Sequence, residues 1–270
     1  MYKIIAIDLD GTLLNDKKEI SQNDKMAIKK AINLGIKVVI STGRPLIGVK
    51  PILEELGLYG SDSYVILFNG AEIYSLKDNK AIFQKYLNGN EVKEIYAEAK
   101  GLNLYLHAYN SKYQVVANKK NKYTDYAAKL VKIDYDEIDF TKINDNDLYI
   151  KCLMVQSEEI IANNINCLIE KYKDKYSIFR SSPIFLEFLS KDTTKGDALV
   201  YLANYLNIKK DEIMAIGDCE NDITMLQYAH MGIAMENAYQ NVKAIAKWIT
   251  KSNNESGVAF AINNFIDLNM

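Results

Sequence analysis

The side chains best suited to chemistry fall into separated clusters. Asp8 and Asp10 stand two residues apart, so an extended chain turns both carboxylates the same way. Thr42 and Gly43 offer a hydroxyl and an uncrowded amide just ahead of Pro45, a residue suited to the first turn of a helix. Lys195 follows Thr193-Thr194 at the start of a helical pattern, and Asp218, Asn221 and Asp222 lie further on. Four carboxylates gathered in one crevice would repel and raise each other's pKa unless a cation held them. An all-oxygen donor set suits Mg²⁺, which prefers one or two carboxylates plus a phosphate oxygen. The helix behind Thr42-Gly43 favours an anion at its N-terminus. Lys195 opposes its own helix dipole, and a bound anion would offset that cost. Each cluster also has a plainer reading. Asp8-Leu9-Asp10-Gly11 fits a strand entering an Asp-Gly turn, Lys195 a solvent-facing lysine, and Asn221-Asp222 a helix N-cap.

The elements that must position these residues read as a wound α/β sheet. Lys3–Ile7, Ile36–Ile40 and Tyr64–Phe68 are short, largely apolar runs, as expected of strands buried on both faces. Between them the spacing predicts helices over about 24–33, capped by Ser21, and from Pro45 to about Leu56. Ala71–Tyr74 and Ala81–Tyr86 flank a polar turn and read as a hairpin. From 87 to 188 the texture becomes α+β, with short strands and helices near 91–100, 123–131 and 158–173. The α/β rhythm then returns: a helix over 195–206, a strand at Ile213–Ile216, and a helix from about 221 to 228. A short strand at Gly232–Ala234 and a last helix near 258–265 follow. The expected fold is α/β, a doubly wound, mostly parallel Rossmann-like sheet formed by 1–86 and 189–270, with an α+β domain of 87–188 inserted. In such sheets ligands bind beyond the carboxyl ends of the strands, where Asp8, Thr42 and Asp218 all fall.

Composition narrows the classes. At 270 residues the chain exceeds the usual single core, so one large or two modest domains are expected. A net charge of −2 shows no basic excess, so nucleic acid is not expected as a partner. No apolar run reaches the length of a membrane span, and the first residues lead directly into a strand, so neither a membrane partner nor a leader is expected. Three widely spaced cysteines without a CxxC pair argue against a disulfide framework or a zinc site and fit a reducing cytoplasm. His107 and His230 read as structural or exposed, Cys219 as filler, and Met225, Met231 and Met235 as core.

Asp8-Leu9-Asp10-Gly11-Thr12, Ser41-Thr42-Gly43-Arg44-Pro45, Thr194-Lys195-Gly196 and Gly217-Asp218-Cys219-Glu220-Asn221-Asp222 occur in that order. On these motifs the whole chain resembles the haloacid dehalogenase-like superfamily, and within it the Cof-type phosphatases with a large α+β (C2B-type) cap; Asn69-Gly70-Ala71 fits as well. The resemblance implies a Mg²⁺-dependent phosphatase acting on small phosphorylated metabolites, sugar phosphates foremost. Asp8 would be the nucleophile, forming an aspartyl-phosphate. Asp10 would be the general acid and then the base. Thr42, Gly43, Lys195 and the Leu9 amide would hold the phosphoryl group. Mg²⁺ would sit between Asp8, the Asp10 carbonyl and Asp218, with Asn221 and Asp222 anchoring phosphate and metal waters and Arg44 further out. A phosphosugar mutase using the same aspartyl-phosphate, or a non-catalytic phosphometabolite sensor, are the alternatives. His107, Tyr109, Arg180 and Glu187 are candidate contacts to the leaving group. No oligomeric state follows; a monomer fits. Where many relatives carry glycine, this chain has Glu236.

Overall fold

The computed structural model describes residues 1–266. The chain opens with β1 (Ile4–Asp8), α1 (Gln22–Asn33), β2 (Lys37–Ser41), α2 (Leu46–Glu55) and β3 (Tyr64–Leu67), then β4 (Glu72–Ser75) and β5 (Lys80–Gln84). Next come β6 (Leu87–Asn88), α3 (Gly89–Gly101), β7 (Tyr105–Asn110), β8 (Val115–Ala117), α4 (Lys122–Val131) and β9 (Tyr135–Glu137). These are followed by β10 (Leu148–Val155), α5 (Glu158–Tyr172), β11 (Tyr176–Ser182) and β12 (Phe185–Ser190). The last stretch holds α6 (Lys195–Tyr205), β13 (Ile213–Gly217), α7 (Ile223–Tyr228), β14 (Met231–Ala234), α8 (Gln240–Ile245), β15 (Trp248–Ile249) and α9 (Gly257–Phe265). Two compact units result: 1–43, 49–83 and 194 onward form one, and 44–48 with 84–193 the other.

The first unit is built on an eight-stranded sheet of order β15-β14-β13-β1-β2-β3-β4-β5. All pairings from β15 to β3 are parallel, and β4 returns antiparallel to β3. Every residue of β1 and β13 is buried, as their unbroken apolar sequences require. Ser21 does cap α1, its hydroxyl accepting from the Asp24 amide. The hairpin lengthens this sheet. Because β1 lies between β13 and β2, its carboxyl end is flanked by theirs, and Asp8 pairs in register with Ser41. This is the topological switch point, where residues from both ends of the chain meet at the carboxyl edge of the sheet.

The second unit is a mostly antiparallel sheet, β11-β12-β10-β7-β8-β9, with β6 beside β10 and a parallel β8–β9 pair. One face packs on α3 and α5 through Val92, Ile95, Leu106, Met154, Leu168 and Phe188. The short β6, β9, α8 and β15 carry no periodic signal, and sequence pattern did not predict them. Met225 and Met235 are core, but Met231, at the start of β14, is only half-buried. His230 is exposed, whereas His107 is buried against the Thr124 hydroxyl at 3.1 Å.

Candidate active site

The site grows from the carboxyl ends of β1, β2 and β13. Past Asp8 the chain folds back at once: the Leu13 amide donates to the Asp8 carbonyl at 3.3 Å and Leu14 to Leu9 at 2.9 Å. Leu9 thereby buries its side chain while Asp10 stays half-exposed, its carboxylate 3.1 Å from the ammonium of Lys18. Gly11 turns with φ +87°, and a Cβ there would lie 2.5 Å from Asp218 Oδ2. Only glycine lets this turn press against that carboxylate. Thr12 donates its hydroxyl to Asp218 Oδ1 at 2.6 Å, tying the first motif to the fourth across 206 residues of chain.

Lys195, the first residue of α6 after the Thr194 cap, is fully buried. Its Nζ donates to Asp8 Oδ1 at 2.5 Å and to Asp222 Oδ1 at 2.6 Å. The solvent-facing reading of this lysine is therefore wrong. Asp222 uses its other oxygen to accept the amides of Asp218 and Cys219, at 2.9 and 3.0 Å. It holds both the lysine and the turn after β13.

The charges do not balance. Asp8, Asp218 and Asp222 bring carboxylate oxygens within 4.8 Å of one another, with one ammonium among them. Burial and the Asp222 carboxylate hold the Asp8 carboxyl well above the usual range despite Lys195. Burial and Asp222 push Asp218 up to about 6, against the Thr12 hydrogen bond. Burial favours neutral Lys195, but Asp222 and Asp8 outweigh it and raise its pKa. Burial, then Asp222, push the Cys219 thiol up to about 12, so it stays protonated. A hard divalent cation fits this crowded all-oxygen donor set. Both Asp222 oxygens are engaged by protein donors, whereas Asp8 Oδ1 meets Lys195 and Asp218 Oδ1 meets Thr12.

The residues expected to hold phosphate are tied together by a turn that sequence reading did not single out for a role. Phe68 and Asn69 adopt φ of +50° and +55°, followed by Gly70 at +103°. Left-handed conformation costs a non-glycine residue roughly 1–2 kcal/mol. The Asn69 amide donates to the Thr42 carbonyl at 3.0 Å, and the Asn69 carboxamide accepts from Asn221 Nδ2 at 2.9 Å. Arg44, by contrast, groups with the second unit, where it donates to the Gly48 carbonyl at 3.1 Å.

In the second unit, His107 and Tyr109 of β7 and Glu187 of β12 share a sheet face with Lys151 of β10. Lys151 and Glu187 form a buried ion pair at 2.9 Å, and Lys151 Nζ lies 5.5 Å from the Tyr109 ring centroid. Arg180 pairs with Leu186 on the opposite, helix-covered face and reaches Glu158 and the Pro183 carbonyl. A lone lysine inside the apolar run of β10 was the available signal for Lys151.

Known proteins are similar to this chain over nearly its whole length. The family model for haloacid dehalogenase-like hydrolases matches residues 5–262. YxeH of Bacillus subtilis (strain 168) is 35% identical over 270 residues, 98% of this chain and 99% of that protein. From the same organism, the 5-amino-6-(5-phospho-D-ribitylamino)uracil phosphatase YcsE is 32% identical over 266 residues, covering 98% and 96%. The crystal structure of a haloacid dehalogenase-like hydrolase from Bacteroides thetaiotaomicron superposes with TM-score 0.84 at 33% identity, covering 98% and 100%. The chain belongs to the haloacid dehalogenase-like hydrolases.

Proposed function

We propose that this haloacid dehalogenase-like phosphatase hydrolyses small phosphorylated metabolites, sugar and polyol phosphates foremost, with Mg²⁺ and through an aspartyl-phosphate on Asp8. The observation that carries the reading is the contact of fully buried Lys195 with Asp8 Oδ1 at 2.5 Å, inside a carboxylate cluster short of positive charge. Lys195 favours the ionised form of Asp8 against the burial and the Asp222 charge that oppose it, and offers its charge to a transferring phosphoryl group. The Asp8 oxygen attacks phosphorus as the bond to the leaving oxygen breaks, and Asp10 gives that oxygen its proton. Asp10 then takes a proton from water, whose oxygen attacks phosphorus and releases Asp8 and inorganic phosphate. The exposed Lys18 contact is weak enough for Asp10 to leave it at little cost. Mg²⁺, held by Asp8, Asp218 and the Asp10 carbonyl, would neutralise charge on the phosphoryl oxygens when bound.

The inserted unit supplies substrate selection in this reading. A relative named for a phosphoribitylamino substrate supports a phosphate borne on a polyol. The test is phosphate release from a panel of monoesters with and without Mg²⁺. Turnover by the wild type and its loss in Asp8→Asn are expected. Full activity in Asp8→Asn, or no release from any ester by folded protein, overturns the proposal. Isomerised substrate without free phosphate would point to a mutase instead.

A further inference from the structure

The turn at Phe68-Asn69-Gly70 touches three of the segments that hold phosphate in the reading above. Asn69 donates its backbone amide to the Thr42 carbonyl, and its carboxamide lies so close to Gly43 that a Cβ there would be 2.8 Å from Nδ2. Gly70 lies against the residue that precedes Lys195: a Cβ at Gly70 would be 2.1 Å from the Thr194 carbonyl oxygen. Asn69 Oδ1 accepts from Asn221 Nδ2 at 2.9 Å, across 152 residues of chain. Phe68 and Asn69 are fully buried and left-handed, a conformation that persists only where surrounding structure enforces it.

The Asn221 end of this contact shows what it is for. With Nδ2 engaged by Asn69, the Asn221 carboxamide has one fixed orientation. Its Oδ1 is buried and has no hydrogen-bond partner. A buried acceptor left in that state is unfavourable, so its orientation is suited to a ligand that brings a donor: a protonated phosphoryl oxygen, a substrate hydroxyl or a bound water.

We propose that Asn69 is a positioning residue: it fixes the Asn221 carboxamide and registers the Thr42-Gly43 turn and the start of α6 with it, so that the phosphate-holding groups stand ready before substrate arrives. The inference rests on the proposed phosphoryl site but names a residue outside its machinery. Asn69 touches no reacting atom and acts through Asn221. Preorganisation of this kind is felt in binding more than in the chemical step.

A double-mutant cycle tests it, with calorimetric binding of inorganic phosphate in the presence of Mg²⁺ as the main readout and p-nitrophenyl phosphate kinetics beside it. Asn69→Gly keeps the left-handed backbone and deletes the carboxamide. It should weaken phosphate binding and raise KM about tenfold, with kcat changed by less than about threefold. Asn221→Ala should cost about as much alone and nothing further on top of Asn69→Gly. Asn69→Asp keeps the acceptor for Nδ2, so in that background Asn221→Ala should retain its full cost. Asn69→Ser, too short to reach Asn221, repeats the deletion should the glycine variant melt early. The proposal is overturned if Asn221→Ala costs the same in every background, or if phosphate binding by Asn69→Gly equals that of the wild type. A wild type that binds phosphate but turns over no ester would sink the hydrolytic reading and leave this cycle intact.

Discussion

Replacing Lys195 with methionine is the sharpest test of the electrostatic account. The ammonium makes two contacts, at 2.5 and 2.6 Å, to carboxylates of Asp8 and Asp222 that are almost wholly out of water. Methionine preserves most of the packing and removes the charge. Breaking a buried pair from one side typically costs about 3–5 kcal/mol, because the partner is left uncompensated. The loss is bounded by protonation, since one more carboxylate of the cluster can bind a proton instead. With an unfolded pKa near 3.9, that proton costs about 4 kcal/mol at pH 7 and about 1.5 kcal/mol at pH 5. The sign follows from linkage. A carboxyl whose folded pKa is raised keeps its contribution below the unfolded pKa and loses it as pH rises towards the folded value. Lys195→Met should therefore be near wild type in acid and most deficient at neutral pH. Urea unfolding read by Trp248, the sole tryptophan and part of the first unit, measures this directly, in chelator to remove cations. A deficit equal at pH 5 and 7, or below about 1 kcal/mol at pH 7, would refute the reasoning.

The same crowding predicts that Mg²⁺ raises the melting temperature more at pH 7.5 than at pH 5, because Asp218, pushed up to about 6, would hold a cation in the proposed site only when ionised; equal shifts at both pH values would count against this. In the second unit, Glu187→Gln or Lys151→Met alone should each cost about 3 kcal/mol, and the apolar double Lys151→Met/Glu187→Leu clearly less than the sum. Strict additivity in chemical denaturation would show that the pair is not coupled. Burial, with help from Lys151, lowers the His107 pKa to about 3. The unfolded chain then binds a proton that the folded one refuses between about pH 6.5 and 3, so stability falls with acid by about 1.4 kcal/mol per pH unit across that window. His107→Gln should flatten this part of the pH–stability curve; an unchanged slope would contradict it.

Much of the first unit was legible because its signals are local. β1, β2, β3 and β13 are apolar runs with polar ends, Ser21 and Thr194 are capping residues, and each motif occupies a few consecutive positions. From sequence, Lys195 could have been read as a solvent-facing lysine at the start of its helix, and only sheet order brings it to Asp8. The roles of Thr12 and Asn69 rest on contacts spanning 206 and 152 residues, which no local pattern encodes. Residue type and spacing thus determined which groups were available and that an α/β sheet would carry them. The strand order, with β1 between β13 and β2, decided which groups meet. It also decided that their charges are buried out of balance, because desolvation and Coulomb repulsion depend on distances that exist only once the chain has folded.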